Sequence, residues 1–194
     1  MVRAFVAVDV PSDALMDLPL RRAVSTRHLT LRFLGETPDH RLETVAQAMH
    51  RAVEGCAPFE LEWKGVGAFP NATRPRIVWA GIGAGSPELV RLASRLESEL
   101  ELAGWPKEPR PFVPHLTLLR VGTSEAAAAA RDLLALGPDR PLGRIRVEEI
   151  VLNESQLKPE GALHLPRARA PLRGLPNRPV PSSAPRPSDA TDRA

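Results

Sequence analysis

The tetrapeptide His28-Leu29-Thr30-Leu31 returns 87 positions later as His115-Leu116-Thr117-Leu118, in a chain of 194 residues with only five histidines. On a strand, alternate side chains share a face. His28 and Thr30 then point one way and Leu29 and Leu31 the other, and the same holds for His115 and Thr117 against Leu116 and Leu118. The leucines read as core. Two opposed imidazoles suit phosphodiester hydrolysis without a metal: one takes a proton from the attacking water while the other gives one to the leaving oxygen. An ordinary pKa of about 6.5 lets both forms coexist near neutral pH. Threonine hydroxyls can donate to the non-bridging phosphate oxygens. Strict alternation places Arg32 with His28 and Thr30, where it could hold phosphate, and sends Arg120 to the opposite face unless the strand ends or bulges first. Phe112 reads as core packing rather than a base-stacking ring, and His164, between Leu163 and Leu165, as a solvent-facing ring.

Other chemistries fit less well. Cys56 is the lone cysteine, which excludes an internal disulfide and a cysteine-based zinc cluster. His40 and His50 stand ten positions apart rather than four, so they form no ligand pair on one helical face. GIGAGS at 81–86 hints at a dinucleotide loop but has Ser86 where the fingerprint needs glycine.

The elements that must position the paired motifs emerge from apolar periodicity. Strands are expected at 3–10, 28–34, 59–69, 76–82, 111–121 and 144–155, with a last one near 162–168. Leu42, Val45, Met49 and Val53 mark one helix and Leu89, Leu92, Leu96 and Leu100 a second, with a third over 124–137. Each half then contains an apolar strand, a linking segment, a tetrapeptide strand, a helix and an alternating strand. Such duplication predicts an α+β fold of two pseudo-symmetric lobes, each an antiparallel sheet backed by helices, with the active-site cleft between them.

Composition sets the remaining bounds. The length can bury a core without disulfides, and 43% hydrophobic with 25% charged residues is ordinary for a globular protein. The pI of 9.7 misleads. From Pro166 onward there are six arginines against two aspartates, a surplus of four, whereas the whole chain carries only +3. The body is therefore near neutral. Residues 173–194, dense in Pro, Ser and Arg, are expected to be a disordered tail behind a bilobal domain over 1–172. No apolar run approaches a membrane span and no signal peptide is evident, so a cytoplasmic location is expected.

The paired HxTx frames resemble those of the 2H phosphoesterase superfamily. The flanking blocks FVAVDVP, HLTLRFLG, GVGAFPNATRPRIVWAGI, RPFVPHLTLLR and VLNESQLKPEGALHLPRARAPL, in that order over residues 2–172, resemble the LigT-like RNA 2′,3′-cyclic phosphodiesterases, first described as 2′-5′ RNA ligases. The resemblance implies an enzyme that opens a 2′,3′-cyclic phosphate at an RNA end to leave a 2′-phosphomonoester. It implies His28 as general acid, His115 as general base, and Thr30 and Thr117 as phosphate contacts. An arginine beside the second motif is usual in that family, so Arg120 is kept with Arg32 as a substrate-binding candidate. No metal or nucleotide cofactor is implied. The implied partners are RNA ends, tRNA fragments among them, with no membrane and no obligate protein partner. Reversal with a 5′-hydroxyl in place of water would form a 2′-5′ linkage without ATP. The stretch from Pro11 to His28 is shorter than in relatives and contains Pro19, so one wall of the groove is expected to differ. Two rivals remain: a related enzyme acting on another small cyclic or 2′-5′ phosphodiester, and a non-catalytic module that binds RNA ends.

Overall fold

Residues Ala4–Val8 are all buried, as expected of a strand covered on both faces. They form the middle of β1 (Val2–Asp9). The computed structural model describes residues 1–11, 13–15, 18, 28–158 and 161–175. Chain order continues with β2 (His28–Thr37), α1 (Leu42–Val53), β3 (Phe59–Phe69), β4 (Ile77–Ile82) and α2 (Ser86–Leu102). It ends with β5 (Leu116–Arg120), α3 (Ser124–Leu134), β6 (Pro141–Val147), β7 (Glu149–Lys158) and β8 (Gly161–Pro171).

Two antiparallel four-stranded sheets result, ordered β2-β1-β7-β8 and β5-β4-β3-β6. Each tetrapeptide strand is an edge strand paired with the apolar strand that opens its half of the sequence, so the expected duplication is present. The second sheet also takes one strand from the first half, and the first sheet takes two, β7 and β8, from the second. β3 comes after α1 yet pairs with β4, and β7 pairs with β1. The segment expected to be one strand over 144–155 is in fact two: β6 lies in the second sheet and β7 in the first, with Glu148 between them. Alternation stops at that point: Glu148 and Glu149 stand together, and Ile150, Val151 and Leu152 follow as an unbroken apolar run that is buried in β7. The exchange ties the lobes into one connected core, which contains residues from both sheets.

Helix faces match their apolar periods. Leu42, Val45, Met49 and Val53 of α1 are buried, as are Leu89, Leu92, Leu96 and Leu100 of α2. α1 and α2 pack on each other and on the first sheet through β7, β8 and β2, whereas α3 lies on the second sheet against β3, β4 and β5. The Thr123 hydroxyl accepts the N–H of Ala126 at 3.2 Å, which caps α3.

β5 begins at Leu116, not near Phe112 as expected. Pro111 and Pro114 each lack an N–H donor, so the approach to His115 cannot ladder with a neighbouring strand. Of the short stretch between Pro11 and His28, only Asp13, Ala14, Leu15 and Leu18 are described, so the expected departure there lies largely outside the described residues. Ala14 and Leu15 join the core. The Ala14 carbonyl rests against Gly143, where a Cβ would come within 2.2 Å of its oxygen. At the other end the N–H groups of Leu172 and Gly174 donate to the carbonyls of Glu148 and Cys56, at 2.7 and 2.8 Å. Residues 176–194, most of the expected tail, are outside the described residues. Among the described residues no helix is long and apolar enough to cross a membrane.

Candidate active site

Both tetrapeptide strands break their register at the same letter. In β2, Thr30 pairs with Ala7 and Arg32 with Val6, which leaves Leu31 as an extra residue. In β5, Thr117 pairs with Trp79 and Leu119 with Val78, which leaves Leu118 extra. A β-bulge of this kind reverses the side-chain alternation beyond it. Before the bulge the motif behaves as its spacing suggests: Leu29 and Leu116 are in the core, while His28, Thr30, His115 and Thr117 are partly open on the cleft side. Beyond it, the next cleft-facing positions are Phe33 and Arg120, not Arg32 and Leu119.

The expected placement of Arg32 is therefore corrected. Paired with Val6, it shares a face with the core residue Leu29 and turns away from His28. Its Nε donates to Glu97 on α2 at 2.7 Å, its guanidinium also bonds the carbonyls of Phe33 and Pro106, and Glu108 lies 3.5 Å away. With the side chain 10% exposed, its donors hold the loop after α2 onto β2. Arg120, by contrast, returns to the face of Thr117, is exposed, and makes no ion pair among the described residues. Phe112 packs partly buried against the core, as expected.

Sheet curvature brings a third histidine into the site. β2 and β8 are opposite edges of the first sheet, about 14 Å apart if the sheet were flat. The His28 and His164 ring centroids are nevertheless 4.7 Å apart, with the rings nearly perpendicular. The sheet must curl strongly to allow this. Phe5 completes the cluster at 4.7 Å from His28 and 5.0 Å from His164. His164 is thus not the solvent-facing ring that its neighbours Leu163 and Leu165 suggested. No local pattern could have revealed it, because the contact depends on curl across four strands.

Burial, then the neighbouring His164 and Arg120, push the His28 imidazole down to about 4. The effect of Arg120 means that the second lobe's guanidinium is felt at the first lobe's histidine, and β2 does lie against β5. Asp9, cross-strand neighbour of His28, is shifted the other way: burial raises its carboxyl above the usual range despite Arg169 and a hydrogen bond from Asn153.

His115 is held differently. Its Nδ1 lies 2.8 Å from the Val113 carbonyl oxygen. A carbonyl only accepts, so Nδ1 carries the hydrogen, and in the neutral ring Nε2 is left with its lone pair free. Phe69 meets the His115 ring edge-on at 5.1 Å and the Trp79 indole at 5.3 Å. Trp79 lies over Gly67, where a Cβ would fall 2.3 Å from the indole ring. Gly67→Ala is accordingly expected to displace Trp79 and cost about 1–3 kcal/mol, as overpacking does. Thermal unfolding checks this, with a midpoint several degrees below wild type.

The surroundings of the motifs, Phe33, Phe5, Phe69 and Trp79, escaped the sequence reading. Phe33 is the one with a readable signal: it follows His28 at the same spacing as Arg120 follows His115, and in the structure it is 61% exposed.

Residues 18–158 match the model of the 2′-5′ RNA ligase superfamily. An RNA 2′,3′-cyclic phosphodiesterase of Aeropyrum pernix is 34% identical over 71% of this chain and 77% of its own length. One from Archaeoglobus fulgidus is 31% identical over 84% and 96%. Among solved structures, TT0787 of Thermus thermophilus superposes with a TM-score of 0.71 at 32% identity, covering 89% of this chain and 98% of its own. E. coli LigT in complex with 3′-AMP superposes with a TM-score of 0.66 at 26% identity, over 88% and 98%.

Proposed function

Because the chain belongs to the 2′-5′ RNA ligase superfamily, we propose that it hydrolyses 2′,3′-cyclic phosphate at RNA ends to a 2′-phosphomonoester, with its paired histidines as acid and base and without a metal. The observation that carries this reading is the matched pair of bulges. They give each lobe the same outward set, a histidine, a threonine and one further side chain, on strands that lie against each other.

In this reaction His115, with Nδ1–H engaged by Val113, takes a proton from water at Nε2. The water oxygen attacks phosphorus in line with O3′ and the P–O3′ bond breaks. His28 delivers a proton to O3′, which leaves as the 3′-hydroxyl while the phosphate stays on O2′. Thr30 and Thr117 donate to the non-bridging oxygens, and Arg120 balances the charge that builds there. Arg32, committed to Glu97, acts only through the fold. Phe33, exposed on the cleft face, offers a ring on which the terminal base can stack.

The acid role requires His28 to gain a proton that burial denies it in the free protein. An adjacent phosphate anion favours the imidazolium and supplies that shift. In the ligation direction, a 5′-hydroxyl in place of water would attack the cyclic phosphate and form a 2′-5′ linkage. RNA fragments, tRNA-derived ones among them, are the substrate class.

The test is to incubate the purified protein with EDTA and an oligoribonucleotide ending in a 2′,3′-cyclic phosphate, then locate the product phosphate. A 2′-phosphomonoester is expected at undiminished rate. A 3′-phosphate, or activity lost with EDTA and restored by a divalent ion, would overturn the reading.

A further inference from the structure

The two site histidines are immobilised by different means. His115 is tied by a hydrogen bond to Val113. Among the described residues neither nitrogen of His28 has such a bond, and its ring is held instead between Phe5 and His164. His164 itself is penalised for being there: its Nδ1 is buried with no hydrogen-bond partner among the described residues. An aliphatic side chain would fill the same space without that cost, so burial alone does not explain a planar ring standing edge-on to His28 at this position.

We infer that His164 is a positioning residue for His28: standing perpendicular to both His28 and Phe5 from the far edge of the curled sheet, it sets the rotation of the His28 imidazole in the cleft. The inference rests on the reading of His28 as a catalytic group. The electrostatics agree with the geometry. Burial lowers the His164 pKa while the Asp9 carboxylate, facing it from β1, pulls it upward. His28 faces it from β2, and Arg120 reaches that pair from β5. Burial disfavours charge on both rings, outweighing Asp9 at His164 and reinforced by Arg120 at His28, so the two can pack in contact with little repulsion. A phosphate anion reaching the cleft then favours protonation of His28, whose ring already has the correct rotation.

Two variants separate ring packing from imidazole chemistry. His164→Ala removes the wedge, and kcat is expected to fall roughly tenfold to a hundredfold with KM little changed, the signature of a misaligned group. His164→Phe keeps a ring and is expected to restore most of kcat. In the substrate-free protein the His28 titration, followed by NMR, is expected to move upward from about 4 in both variants. The shift should be larger in His164→Ala, which also admits water. A folded His164→Ala protein with wild-type kcat and an unmoved His28 titration would overturn the inference. So would a His164→Phe protein no more active than His164→Ala. Because the titration needs no substrate, these outcomes are independent of whether RNA ends are the substrate, which the wild-type assay decides.

Discussion

Alanine at His28 or at His115 lowers kcat by roughly three orders of magnitude, the scale of losing one positioned acid or base, while the protein stays folded. Circular dichroism and thermal melts check the fold, and single-turnover hydrolysis of a cyclic-phosphate-ended oligonucleotide in EDTA checks the rate. Groups that act as a unit are not additive, so the double variant is expected to be little worse than either single one. A folded variant with full activity would remove the two-histidine assignment.

The same pair makes a pH prediction whose sign is set by burial. In the free protein His28 is neutral above about 4. If it must carry the proton, kcat/KM, which reports the free enzyme, loses up to tenfold per pH unit above that value from this group. The profile of kcat reports the complex, where the bound phosphate favours the imidazolium, so its descending limb should lie at higher pH. Binding of a nucleoside 2′-monophosphate near neutral pH should therefore take up a proton in the wild type and not in His28→Ala. Calorimetry in buffers of different ionisation enthalpy measures this. No uptake would assign His28 to the base role instead of the acid.

Arg32 and Arg120, equal candidates by sequence, are expected to separate completely. Arg32→Ala strips Glu97 and the Pro106 carbonyl of their buried partner. Breaking a fully buried pair costs about 3–5 kcal/mol. Glu97 remains 20% exposed and still accepts the N–H of Glu108, so a loss of about 2–3 kcal/mol is expected. The folded fraction should keep near-normal kcat. Arg120→Ala should do the reverse: leave the melting midpoint nearly unchanged and weaken turnover by roughly tenfold to a hundredfold through lost charge stabilisation. It should also raise the His28 titration, since the Arg120 charge is one of the influences that lower it. Urea titration and steady-state kinetics on both variants decide the matter. An Arg32→Ala protein of normal stability but lost activity would return Arg32 to the phosphate.

Much of this molecule was legible from residue pattern, for identifiable reasons. Apolar residues at helical spacing specified the buried faces of α1 and α2, because a helix displays every third or fourth residue on one side. The repeated tetrapeptide specified two lobes, and strand alternation correctly turned Leu29 and Leu116 into the core and the His and Thr outward. That alternation failed one residue later in each copy. A bulge changes backbone pairing without changing composition. Leu31 and Leu118 therefore look like their neighbours in the sequence while reversing the facing of the residues after them.

By itself, then, the order of residues determined which side chains could do the chemistry and how many copies of each there would be, since residue type and local period are encoded along the chain. Tertiary structure alone decided which arginine reaches the cleft, that β3 and β7 would change sheets, and that His164 would touch His28. Those outcomes depend on pairing register and sheet curl, which are settled between strands far apart in sequence and are not specified within any one of them.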